Sequence, residues 1–98
     1  MKFYMKNTKR NVNAILEYKN DKYYLKKGSI VSKDISQALR SNRQVVKRRE
    51  GNIDNNYTLI KDVIFSSPST AGEFVLGTSC NGREKWKSDN GKKLKELI

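Results

Sequence analysis

Ser66-Ser67-Pro68-Ser69-Thr70-Ala71-Gly72-Glu73-Phe74-Val75-Leu76-Gly77 is a helix with both ends marked in the sequence. Ser67 is placed as N-cap, and Pro68 as the first helical residue, where its missing amide costs nothing. Ala71, Phe74 and Val75 form one apolar stripe, and Gly77 is the stop signal. Gly72 inside the helix costs about 1 kcal/mol against Ala, and so points to a close approach by another backbone.

Upstream, Asp34 to Glu50 predicts a long helix. Asp34 and Gln37 have capping-box spacing, and Ile35, Ala38, Leu39, Val45 and Val46 gather on one side. Arg40, Arg43 and Lys47 project from the other side, and Gly51 is the C-terminal cap. Strands are expected at Phe3-Tyr4-Met5, over Asn11 to Tyr18, and over Lys22 to Lys26 after an Asn20-Asp21 turn. Another is expected at Tyr57 to Ile60. Downstream, Asn81-Gly82 and Asp89-Asn90-Gly91 are turn signals around a short strand carrying Trp86. Leu94, Leu97 and Ile98 close the core. The predicted fold is α+β: one domain over residues 1–98, with an antiparallel sheet of about four or five strands. One long helix and one short Ser-Pro-capped helix pack on it.

Composition narrows function. The chain has 98 residues, 21 Lys and Arg against 10 Asp and Glu, a net charge of +11, no His and one Cys. Without His the commonest general base, most nucleophilic triads and nearly all zinc sites are gone. Cys80 alone makes no internal disulfide, and no paired carboxylate motif or glycine-rich phosphate loop is present. The expectation is therefore no enzyme, no cofactor and no metal. No apolar run approaches a membrane span of about 18 residues, and Met1 to Lys6 lacks a signal-peptide core, so a cytoplasmic location is expected. The charge calls for a polyanionic partner or reflects a lysine-rich habit that serves solubility.

Three groups of residues are candidates for contact with nucleic acid. At the Ser-Pro helix start, hydroxyls and free amides suit a phosphate; Ser67 caps while Ser69 and Thr70 face out, or the whole cluster serves only as a cap. In Asn81-Gly82-Arg83-Glu84-Lys85-Trp86-Lys87, a strand would put Arg83, Lys85 and Lys87 on one face and Trp86 inward as a core anchor. Asn81 belongs to the same turn. That basic strip either contacts phosphate or is a solvated edge. The helix face of Arg40, Arg43 and Lys47 lies along a nucleic-acid backbone or simply faces water.

Phe65 to Gly72, Val75-Leu76-Gly77, Asn81-Gly82, Trp86-Lys87, Gly91-Lys92 and Leu94 together resemble a small bacterial domain of unknown function. That domain lies C-terminal to GIY-YIG endonucleases and also occurs alone. Lys27-Gly28-Ser29 and the Arg48-Arg49-Glu50-Gly51 stretch fit the same pattern, so the resemblance covers nearly the whole chain. The chain is also similar to the RAMA domain of restriction and adenine-methylase systems. Arg83 stands where the family pattern has Trp, and Gly72 where it has Ala. The resemblance makes Ser67, Pro68, Gly77, Gly82 and Trp86 the structural motif. It implies a DNA-binding accessory module, DNA favoured over RNA, beside a nuclease or methylase encoded nearby. The competing expectation is a protein-interaction module that recruits an acidic partner, with charge setting the on-rate.

Overall fold

The structure is a computed structural model that describes residues 1–40 and 43–98, the side chains of Arg40 and Arg43 excepted. Strands β1 (Lys2–Asn7), β2 (Val12–Lys19), β3 (Lys22–Leu25) and β4 (Val63–Phe65) form an antiparallel sheet in the order β1-β2-β3-β4. Alternation sets the faces. Phe3, Met5, Val12, Ala14, Leu16, Tyr23, Leu25 and Phe65 are buried on the inner side, while Lys2, Tyr4, Lys6 and Asn13 point outward. The β2–β3 hairpin turns on Asn20 and Asp21, both with positive φ (52° and 61°), between the paired Lys19 and Lys22. That is the geometry a two-residue hairpin loop demands.

Helices α1 (Gln37–Arg40) and α2 (Arg43–Arg49) lie in the connection between β3 and β4. The one long helix expected over Asp34–Glu50 is not found: the described residues there form α1 of 4 residues and α2 of 7, and α1 is capped by Ser36 rather than Asp34. The Leu39 amide donates to the Ser36 carbonyl at 3.1 Å and to its hydroxyl at 3.4 Å. Asp34 is unavailable because the preceding residues are tied in extended form. Ile30 pairs with Asn13, Val31 N donates to Tyr57 O (2.9 Å), Ser32 N donates to Val75 O (2.8 Å), and the Ser32 hydroxyl donates to Asp34 O (2.7 Å).

The strand expected at Tyr57 to Ile60 is reduced to isolated pairing of Thr58 with Ile30 and Leu59 with Ile53. The ladder strand is β4 instead, joined to β3 through Tyr23–Phe65, Tyr24–Ile64 and Leu25–Val63. Helix α3 (Pro68–Leu76) follows, and its Ala71, Phe74 and Val75 enter the core against the sheet. Phe74 meets Phe65 edge-on, with ring centroids 5.3 Å apart. Gly77 ends α3 at φ +70°, its amide donating to Glu73 O. A Cβ there would lie 2.2 Å from Asp34 O, so Gly77 serves both the turn and the close packing. Gly72 has close packing too, but the neighbour is the Cys80 side chain rather than a backbone.

Arg49, at the end of α2, turns inward and donates to Ser32 O (2.7 Å) and Phe74 O (3.0 Å). It thereby satisfies carbonyls near the end of α3 that the helix leaves open. Burial pulls its guanidinium down to about 10. One of the arginines that make the chain basic is therefore a fold element.

Candidate nucleic-acid interface

The C-terminal part decides the site. Residues Gly82–Lys85 form a single helical turn, α4, not the alternating strand expected there. The Asn81 carbonyl accepts from the amides of Glu84 (3.0 Å) and Lys85 (3.1 Å), and Gly82 O accepts from Trp86 N (3.0 Å). Arg83, Lys85 and Lys87 consequently do not share one strand face. The cause is contact with the start of α3. A Cβ on Gly82 would sit 2.2 Å from the Pro68 carbonyl carbon and 2.5 Å from Ser69 N. Trp86 is fully buried and its indole N–H donates to Pro68 O at 3.0 Å.

The same clasp shapes the Ser-Pro helix start. The Ser67 hydroxyl accepts from Thr70 N (3.1 Å), and Ser67 O accepts from Ala71 N (3.3 Å). Thr70 Oγ1 donates to Ser67 O (2.9 Å). Ser69 does not face out as expected, because its hydroxyl accepts from Gly82 N (3.0 Å). The amides of Thr70 and Ala71 are thus taken by Ser67, as a cap requires.

The remaining candidates divide between two depressions. One, of about 450 Å³, lies between α2 and α3 and takes in Lys47, Arg48, Ser66 and Thr70. Arg48 holds its guanidinium 4.6 Å over the Phe65 ring there. The other, of about 640 Å³, runs between β1 and the segment after α4, and takes in Tyr4, Lys6, Lys85, Lys87 and Lys93 together with the carboxylates Glu84 and Asp89. Lys87 pairs with Tyr4 on one side and Lys93 on the other, which extends the sheet beyond β1. Arg83 is exposed and donates to Ile98 O (2.8 Å), while Asn81 is exposed with no side-chain cap bond. Arg40 and Arg43 have side chains outside the described residues. Lys6 and Tyr4 were not among the residues expected at a binding surface. Their signal was present in Lys2-Phe3-Tyr4-Met5-Lys6, where burying Phe3 and Met5 turns the other three outward.

Charge in this groove is only partly balanced. Glu84 pairs with Lys93 (2.8 Å) and Lys95 (2.5 Å), and these ammonium groups pull its carboxyl down to about 2. Among the described residues no ion pair involves Lys6, Lys85 or Lys87. Above about pH 2 Glu84 stays ionised, and without His the groove has no side chain of ordinary pKa near neutrality. Binding of a polyanion here is therefore expected to vary little between about pH 5 and 7. A fluorescence-anisotropy titration across that range checks it, and a steep change would contradict the charge inventory.

Burial pushes the Cys80 thiol up to about 11, so it stays protonated near neutrality. Among the described residues no three of His, Cys, Asp and Glu converge as a metal site would need. No described helix is long and apolar enough to cross a membrane.

A basic α+β domain with a Ser-Pro helix start locked to an Asn-Gly…Trp segment is what the fold defines. The chain belongs to a family described as a domain of unknown function (DUF4357), whose model matches residues 3–98. No curated protein and no solved structure matches the chain.

Proposed function

We propose that this domain is a non-catalytic nucleic-acid-binding module, DNA favoured over RNA, that targets a nuclease or restriction-modification system in the cytoplasm. The observation that carries the proposal is the groove in which Lys6, Lys85 and Lys87 converge without a carboxylate partner among the described residues. Three unpaired ammonium groups beside one sheet edge match a run of phosphates, and phosphate neutralisation supplies most non-specific affinity. The resemblance to domains beside GIY-YIG endonucleases and to the RAMA domain supports DNA as the polymer. Recruitment of an acidic protein would use the same charges, but the groove offers little apolar anchorage for such an interface.

Titration of a short labelled duplex at several salt concentrations tests the proposal. Log affinity is expected to fall with log salt, with a slope of about −3 or steeper for three or more phosphate contacts. Absence of binding at low salt would refute it.

A further inference from the structure

The outer face of the sheet is a second surface, continuous with the groove through Lys87 and Tyr4. Register places Lys87, Tyr4 and Ile15 in one cross-strand row, and Lys2, Glu17, Tyr24 and Ile64 in the next. Their side chains stay exposed or half-buried, with Tyr4 38% and Ile64 46% exposed. Strand spacing of about 4.8 Å and a rise of about 3.4 Å per residue separate Tyr4 and Tyr24 by roughly 12 Å. Each ring is thus free to take its own base.

Charge selects the occupant. Glu17 is the carboxylate in these rows, and Lys26 covers it at 3.4 Å while also pairing with Asp62 at 2.9 Å. Lys2, Lys6, Lys22 and Lys87 have no ion pair among the described residues. A second copy docking here would set lysine against lysine on chains of net charge +11. A single polynucleotide strand meets both features, since bases stack on aromatic rings while phosphates follow the ammonium groups.

We infer that the outer sheet face binds single-stranded DNA, with Tyr4 and Tyr24 as stacking platforms and the lysines at its margin as phosphate contacts. This rests on the nucleic-acid reading of the groove and adds the form of the polymer. Deoxyribose is carried over from the DNA reading of the groove, and the RNA probe below tests it.

Short labelled oligo(dT), oligo(rU) and a DNA duplex, titrated against the full chain, test it. Oligo(dT) should bind more tightly than either of the others. Tyr24→Leu keeps an apolar side chain and removes the ring; it should weaken oligo(dT) binding at least about fivefold and leave duplex binding unchanged. Ile64→Glu, at a position whose side chain faces solvent, should do the same. Equal or tighter binding of the duplex or of oligo(rU), or indifference to both substitutions, would overturn the inference. So would a dimer that Ile64→Glu dissociates, because the face would then belong to a second copy. Duplex binding with no preference for oligo(dT) rejects this inference alone, whereas no binding to any probe rejects the underlying nucleic-acid reading as well.

Discussion

Trp86→Ala is expected to cost about 3–5 kcal/mol of folding stability, which in a domain of this size is a large part of the total. Trp86 is the largest side chain buried completely, and removing it opens a cavity between the sheet, α3 and the C-terminal residues. It also leaves the Pro68 carbonyl without the indole donor at 3.0 Å. Gly82→Ala probes the same clasp by the opposite route. One added methyl would meet backbone atoms of Pro68 and Ser69 at 2.2–2.5 Å, and these cannot swing aside as a flexible side chain would. Overpacking of this kind costs about 1–3 kcal/mol or more. Urea melts of both variants check the pair. A loss below about 1 kcal/mol for Trp86→Ala would mean that the Ser-Pro and Asn-Gly…Trp segments do not hold the fold together.

The second large effect concerns binding. Lys6, Lys85 and Lys87 are exposed, so replacing all three with Ala should leave the fold intact. Lys87 makes its sheet contacts through backbone atoms, with Tyr4 N donating to Lys87 O (2.6 Å) and Lys87 N to Tyr4 O (3.1 Å), and these survive the substitution. Each exposed ion pair with a phosphate is worth about 0.5–1 kcal/mol, so the triple variant should bind DNA roughly 10- to 100-fold more weakly. The slope of log affinity against log salt should shrink by about one unit per lysine. A Lys47→Ala/Arg48→Ala variant serves as the contrast, because it empties the depression between α2 and α3 instead. If that variant loses the affinity and the triple lysine variant keeps it, the binding surface lies there.

Local chemistry was legible in the sequence, and long-range pairing was not. Ser67, Pro68 and Gly77 mark α3 because caps, a first-turn proline and a left-handed stop act within a few residues. Asn20-Asp21 marks the hairpin for the same reason. The inward Trp86 was also legible, though on a mistaken premise. It was expected to alternate along a strand, and instead follows a helical turn that Gly82 makes possible. What decides that turn is contact with Pro68, 14 residues away, which no local pattern announces. Tertiary ties likewise hold Asp34 out of its helix, and β4 takes the ladder position expected of Tyr57 to Ile60.

The candidate site was legible to a similar degree. Lys85 and Lys87 were identified by charge, but their neighbours Lys6 and Tyr4 lie some 80 residues away and join them only through the Tyr4–Lys87 pairing. Ser69 was a reasonable candidate from position alone, since a hydroxyl in the first helical turn suits an anion. Its commitment to Gly82 N became visible only in three dimensions. The motif that carries the family resemblance is thus mainly a fold device, and the candidate binding surface lies beside it.

Chemical-shift mapping of the isotope-labelled chain with a short DNA duplex tests the central claim most directly. The account predicts shifts at the amides of residues 4–7 and 84–88, fading as salt is raised. Shifts confined to residues 66–70 at the start of α3, or none at low salt, would contradict it.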